Sequence, residues 1–362
     1  EYTYPDIDMI YWAGGNPFHH HQDLARLRKA WEKPSTVIVN EWCWNALARH
    51  ADIILPCTTT LERQDIGMTP RDPYVISMDK AIEPVGEARN DYDIFAGIAR
   101  RMGTKDSFTE GRSAEDWQKW IWEQSCERAE KLNVHMPDYE SFREAGFYKS
   151  PDLKEDRIFL SDFFEDPDKN PLKTPSGKIE IFSDTIDSFN YNDCPGHPTW
   201  MEPDEWLGAE EKAYPLHLIS NQPKTKLHSQ MDNGTLSSSI KIEGHQPLEM
   251  NPDDAKSRGI TQGDIVRVFN GRGSCLCGVN ITTDVMPGVV IISTGSWYDP
   301  AEPNDPKSMC KHGNPNVLSP DIGTSKLGQG PAAHSCLTEI EIYDGPVQDI
   351  TAFNPPEIIE KK

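Results

Sequence analysis

From residue 8 to about residue 103, short apolar runs alternate with stripes of helical spacing. Met9–Ala13 predicts a buried strand that stops at Gly14, Gly15, Asn16 and Pro17. Leu24, Leu27, Ala30 and Trp31 then recur at helical spacing, so Asp23–Trp31 predicts a helix. Thr36–Val39 is a β-branched strand ending in polar Asn40 and Glu41. Trp44–His50 is helical, Asp52–Pro56 and Tyr74–Met78 are further strands, and Asp91–Met102 is a helix ending at Gly103. Short apolar strands separated by helices imply a parallel sheet with helices on both faces. Ligands of such sheets bind beyond the carboxyl ends of the strands, which here carry Gly14–Pro17, Asn40-Glu41 and Cys57–Arg63. A glycine turn between strand and helix suits phosphate, because glycine permits close approach and a helix start offers free N–H groups.

The pattern loosens between residues 104 and 213. Glu115–Lys131 predicts one helix, with Trp117, Trp120, Ile121 and Leu132 at helical spacing and expected in a core. Residues 177–183 predict a strand. From Tyr214 the period shortens to β segments rich in Val and Ile: Leu216–Ser220, Ile265–Phe269, Leu276–Ile281, Val289–Thr294 and Thr338–Tyr343. Turn signals at 259–264, 270–273 and 286–288 separate them, and Asn251–Ala255 predicts a short capped helix. Such a series of short strands predicts a closed β-barrel. The expected layout is an α/β domain over 1–135, an irregular connection over 136–213, an all-β barrel over 214–345 and a tail over 346–362.

Composition narrows the function. The chain has 362 residues and a formal charge of -22, from 36 Lys+Arg against 58 Asp+Glu. That balance disfavours nonspecific nucleic-acid binding, which needs cations for phosphates. No apolar run approaches the ~20 residues of a membrane span. The eight cysteines form no CxxC, so zinc or iron–sulfur ligation is not expected, and Cys275 and Cys277 are expected as buried thiols. His19, His20 and His21 read as an exposed helix start rather than a metal site, because adjacent helix residues do not share a face.

Several segments, in order, resemble the molybdopterin-dependent oxidoreductases of the dimethyl sulfoxide reductase family. They are Tyr-Trp-Ala-Gly-Gly-Asn-Pro-Phe (11–18), Ala-Asp-Ile-Ile-Leu-Pro (51–56) with Glu62-Arg63, and Glu-Ala-Arg-Asn-Asp-Tyr-Asp-Ile-Phe (87–95). Leu-His-Ser-Gln (227–230), Asn-Pro-Asp-Asp-Ala (251–255) and Gly-Ile-Thr-Gln-Gly-Asp (259–264) follow. The glycine segment and Leu-His-Ser-Gln are similar to the branch that reduces trimethylamine N-oxide, dimethyl sulfoxide or biotin sulfoxide. The resemblance implies a Rossmann-like α/β domain followed by a double-psi β-barrel, the third and fourth domains of a four-domain enzyme. It implies molybdenum held by two molybdopterin guanine dinucleotides and oxygen-atom transfer from a small S-oxide or N-oxide. The serine metal ligand belongs to the first half of such enzymes, so the chain is expected to be a C-terminal piece, inactive alone and without the cofactor when isolated. The missing half is its expected partner. The branch is periplasmic or cytoplasmic, with the periplasm favoured.

The resemblance places one dinucleotide against Gly14, Gly15, Asn16, Pro17 and His20, with Asn40 and Glu41 at ribose hydroxyls and Arg63 at a phosphate or base edge. Asp91 matches the guanine-reading aspartate, with Asp93 as the alternative register; Asp91 is equally a helix cap. The second dinucleotide is expected at Ser220, Asn221 and Gln222 and at Lys226, Leu227, His228, Ser229 and Gln230. Gln222 departs from a histidine common in the branch. Trp297, Asn316 and His334 fall at further contact positions. No residue is assigned as a catalytic acid, base or nucleophile, and none as a metal ligand; metal and dithiolenes carry the chemistry. Two other readings compete: a standalone cofactor-binding or assembly module of a split enzyme, and an NAD-dependent dehydrogenase. Gly-Gly-Asn-Pro in place of GxGxxG counts against the latter.

Overall fold

The computed structural model describes residues 3–151 and 158–359. Strands β1 (Met9–Ala13), β2 (Thr36–Glu41) and β3 (Ile53–Pro56) form a parallel sheet in the order β1-β2-β3. The register pairs Ala13 with Asn40, and Glu41 with Pro56. Gly14, Glu41 and Cys57 therefore emerge along one edge. Helices α1 (Pro17–His20), α2 (Leu24–Trp31) and α3 (Ala46–Arg49) connect these strands. Asn16, Asp23 and Asn45 start them, each side chain accepting a backbone N–H of the first turn.

Tyr74–Met78 does not extend the parallel sheet. It is β5 of an antiparallel sheet with β4 (Asp65–Met68) and β6 (Phe147–Lys149). The link from Met68 to Tyr74 is far shorter than the dozen or so residues a parallel crossover needs, so the chain can only fold back. Helices α4 (Asp91–Arg101), α5 (Lys105–Thr109), α6 (Ala114–Glu130) and α7 (Tyr139–Ala145) complete this part. In α6 the expected core residues are not the buried ones: Trp120, Ile121 and Leu132 are exposed, and Trp117 is half-buried under Arg112. The face toward α7 is the Gln118, Trp122, Cys126 stripe at four-residue spacing. Trp122 stacks on Phe142 at 3.8 Å, and Gln118 bonds Tyr139.

The expected strand at 177–183 is absent. Ile179 and Ile181 are 64% and 78% exposed, and local bonds such as Ser176 N–H to Glu180 Oε1 hold a turn instead. The barrel is closed, in the order β10-β8-β11-β7-β12-β9. Its strands are β7 (Leu216–Ile219), β8 (Pro247–Met250), β9 (Ile265–Phe269), β10 (Ser274–Ile281), β11 (Val289–Ile292) and β12 (Leu337–Ile342). Leu218, Leu248, Met250, Val266, Val268 and Ile292 fill it, each contributing about 1.5–3 kcal/mol by burial. Cys275 and Cys277 are fully buried there as free thiols. Asn251 caps the short helix Pro252–Ser257, as its sequence predicts.

Sheet and barrel share one core, with Phe18, Leu24, Trp31 and Val39 in the same cluster as Leu218 and Tyr298. Arg28 of α2 is buried and donates to the Tyr298 hydroxyl at 3.2 Å, to the Asp305 carbonyl at 2.6 Å and to the Pro303 carbonyl. The segment after the barrel straps both parts: Thr351 bonds the Asp299 carboxylate, and its carbonyl accepts from Arg49 at 2.7 Å. Among the described residues no helix is long and apolar enough to cross a membrane.

Candidate cofactor-binding site

The glycine corner forms because β1 ends with two residues of positive φ, Gly14 at +111° and Gly15 at +75°. Side chains rarely adopt that backbone. Space beside Gly14 is open, while Gly15 lies against the His20 and Trp12 rings. Trp12 Nε1 donates to the Gly15 carbonyl at 3.1 Å, and Asn16 Oδ1 accepts from the Phe18 N–H. Two polar atoms at this corner, Asn16 Nδ2 and His19 Nε2, are buried without a partner. His19 is only 4% exposed, which overturns the expectation of an exposed histidine run. The reason is that α1 docks on the barrel, where the His19 ring stacks on Trp297 at 5.5 Å. Burial drives the His19 imidazole down to about 3, so it stays neutral. His20 and His21 remain exposed.

Along the sheet edge, Tyr11 donates to Asn40 Oδ1 at 2.8 Å and Asn40 Nδ2 donates to Asp91 Oδ1 at 2.7 Å. This chain joins β1, β2 and the start of α4, and it leaves Asp91 Oδ2 without a protein donor among these bonds. Asn90, not Asp91, occupies the cap position of α4. Asp93 turns instead to Asn90 Nδ2, at 3.2 Å. Glu41 is half-buried, and burial raises its carboxyl above the usual range. Arg63 donates to the Thr58 carbonyl at 3.0 Å and pairs with Asp65 at 3.2 Å. It lines a cleft of about 430 Å³ with Lys80, Arg89, Asn90 and Asp93. Glu62 pins this loop: it is 5% exposed and accepts from the Thr59 and Val85 N–H groups, which hold its carboxyl low.

On the barrel side, Ser220, Asn221 and Gln222 leave the end of β7. Asn221 accepts from Ser293 Oγ at 2.6 Å, and Gln222 Nε2 lies 3.2 Å from His228 Nδ1. His228 has φ +50°. Its carbonyl presses on Gly295, where an added Cβ would sit 1.8 Å from the oxygen; only glycine fits. Leu227, His228 and Gln230 are exposed and Ser229 is half-buried. The Lys226 side chain points inward and is fully buried against Asp232. Trp297 joins the two parts across the seam: the His19 ring stacks on it at 5.5 Å, and its indole N–H donates to the Ser229 carbonyl at 2.9 Å.

Three further expected residues differ in their surroundings. Asn316 is buried, its Nδ2 donating to the His19 carbonyl at 3.0 Å; Asn314 does the same for Phe18. Both fasten α1 to the barrel. Trp297 is 5% exposed, with its indole N–H donating to the Ser229 carbonyl at 2.9 Å. His334 is exposed and neighbours His217 near the start of β7. That is about 13 Å of strand from Asn221, at roughly 3.3 Å per residue. Sequence reasoning missed Asp232, which pairs with Lys226, and Lys241 and His312, which gather about Asp232 from distant positions; none carries a local pattern.

The site thus joins a strand-end glycine corner to a polar barrel loop through Trp297, with two buried polar atoms of the corner, Asn16 Nδ2 and His19 Nε2, left without partners. Comparison with known proteins gives the class. Residues 3–101 match the family described as "Molybdopterin oxidoreductase", and residues 216–337 match "Molydopterin dinucleotide binding domain". The chain belongs to the molybdopterin oxidoreductase family. It is 47% identical over 359 residues to a dimethyl sulfoxide/trimethylamine N-oxide reductase of Cereibacter sphaeroides, covering 98% of this chain and 44% of that protein. It is 45% identical to a biotin sulfoxide reductase of the same organism (96% and 46% covered). It is 42% identical to a trimethylamine-N-oxide reductase of Haemophilus influenzae (99% and 44% covered). The chain therefore spans less than half the length of these relatives. Acetylene hydratase from Pelobacter acetylenicus has the same fold over 93% of this chain and 44% of its own, with a TM-score of 0.72 at 19% identity.

Proposed function

We propose that the chain forms the dinucleotide-binding part of a bis(molybdopterin guanine dinucleotide) molybdenum reductase acting on a small S-oxide or N-oxide. In this reading residues 1–135 are a Rossmann-like domain, 136–213 a connection, 214–345 a double-psi barrel and 346–362 a tail. The observation that carries it is the linkage of the glycine corner to the Leu227–Gln230 loop through Trp297, in a chain similar to sulfoxide and N-oxide reductases along nearly its whole length. The residues present fit the group. Asn16 Nδ2 and His19 Nε2 are buried donors or acceptors lacking partners, and Gly14 leaves room for a diphosphate to approach the backbone. Asp91, held by Asn40, presents a carboxylate to the paired N–H groups of guanine, and Glu41 accepts from ribose.

When bound, the molybdenum group supplies two-electron oxygen-atom transfer. The chain's own residues hold and orient it, and none of them is placed as acid, base or nucleophile. The metal ligand and part of the substrate funnel would come from polypeptide outside these residues, so this chain alone is expected to be inactive. A bacterial periplasmic location is favoured over a cytoplasmic one.

Calorimetric titration of the purified chain with GDP and with NAD tests the binding reading. GDP carries the guanine, ribose and diphosphate of the ligand and is expected to bind; NAD is not. Tight NAD binding with no response to GDP would sink the proposal.

A further inference from the structure

Charge beneath the barrel loop is unevenly balanced. Lys226 Nζ and Lys241 Nζ reach the same oxygen, Asp232 Oδ1, at 2.7 and 3.1 Å, and the three side chains are at most 4% exposed. Among the described residues no second carboxylate pairs with either lysine. Neutral groups offer the remaining compensation: Gln246 Oε1 lies 3.4 Å from Lys226 Nζ, and the Phe353 ring lies 4.8 Å from Lys241 Nζ.

Hydrogen bonds assign the proton positions. His312 Nδ1 lies 3.0 Å from the Trp297 carbonyl and so carries its hydrogen there. That leaves the Nε2 lone pair to accept from Lys241 Nζ at 2.5 Å. Trp297 N–H donates to Asp232 Oδ2 at 3.1 Å, which closes a ring through Asp232, Trp297, His312 and Lys241. Trp297 Nε1 and the Lys226 ammonium tie this ring to the loop above it. The groups facing Lys241 are Asp232, Lys226, His312, His245 and Phe353, with His19 and Asp299 in the next shell around Asp232 and His312. Burial outweighs Asp232 and lowers the Lys241 ammonium to about 8.

We propose that Asp232, Lys241 and His312 are positioning residues for the Lys226–Gln230 loop, and that the surplus positive charge they bury is matched by negative charge on the ligand seated there. This rests on the cofactor-binding reading above. A surplus buried cation is costly, and an apolar side chain would fill the same space without that cost. A counter-charge that arrives only with the ligand removes the conflict. Binding then favours the protonated amine, and by linkage protonation favours binding. Above the titration of Lys241 the complex takes up one proton from solvent as it forms.

Two measurements on the purified chain decide this. Nuclear magnetic resonance of ¹³Cε-labelled lysines across pH 6–11 should show one resonance, absent from Lys241→Met, that titrates well below the surface lysines. GDP affinity should fall about tenfold per pH unit above that titration. Lys241→Met should bind weakly at all pH values, whereas Lys241→Arg should bind tightly at all of them. Lys241 titrating with the surface lysines overturns the inference. So does GDP binding whose pH dependence is flat in the parent chain or unchanged in Lys241→Met, while GDP binding itself still supports the cofactor reading. Absence of GDP binding at every pH overturns both.

Discussion

On the sheet side of the seam, polar groups are tied by a relay of short hydrogen bonds, Tyr11 to Asn40 to Asp91, at an edge that remains half-open. On the barrel side, Lys226, Asp232 and Lys241 are whole charges, buried almost completely. The sheet edge can be altered at little cost to the fold, because its side chains hang from strand ends that backbone pairing already fixes. The barrel side cannot, because its loop is held by charges that have no water to fall back on. Loss of the shared barrel-side carboxylate should therefore register as stability, and changes to the sheet edge as affinity.

Acid should produce the largest effect, where α1 docks on the barrel. Burial lowers His19 from 6.5 to about 3 and His312 to about 4. The unfolded chain binds those protons first, so stability is full above about pH 6.5 and is lost as pH falls toward the folded values. At pH 4.5, about two units below the unfolded value, each buried neutral histidine costs about 3 kcal/mol. Urea midpoints at pH 7.5 and pH 4.5 check this; equal midpoints would mean that the two rings are not buried as neutral groups.

Asp232→Asn comes next. It strands two buried ammonium groups and should cost about 3–5 kcal/mol, whereas Lys241→Met leaves a balanced Lys226–Asp232 pair and should match the parent at pH 7 or exceed it. Denaturation curves that rank the two variants the other way break the comparison. Gly295→Ala drives a Cβ into the His228 carbonyl at φ +95° and should cost about 2–3 kcal/mol, read from the thermal midpoint. Gly14→Ala meets no atom within 4 Å, so only its backbone strain should appear, on the order of 1 kcal/mol. At the small end, Asp91→Asn should move stability by about 0.5 kcal/mol or less. It should nevertheless weaken GDP binding about tenfold, because a charge-assisted pair of hydrogen bonds is lost.

The same contrast explains what was legible in the sequence. β1 and β9 match their expected ranges residue for residue: one is a continuous apolar run and the other alternates about Arg267, and glycine or asparagine ends each. The glycine corner and Asn40-Glu41 were readable because strand ends carry their own punctuation. β8 was missed: it starts with Pro247 and carries Glu249, and it is a strand only because β10 and β11 flank it. Residues 177–183 show the reverse, a β-like stretch with no neighbour to pair with. The α6 tryptophans misled because helical spacing shows a stripe without saying which side the next helix covers. His19, Asp232, Lys241 and His312 lie far apart in the chain, and nothing local marks residues that only the closed barrel brings together.

Hydrogen exchange of the purified chain with and without GDP tests the seam most directly. The account predicts ligand-induced protection in two separate segments, residues 12–18 at the glycine corner and 226–230 in the barrel loop. Binding that protects neither segment, or that protects only the 430 Å³ cleft beside Arg63 and Arg89, would contradict it.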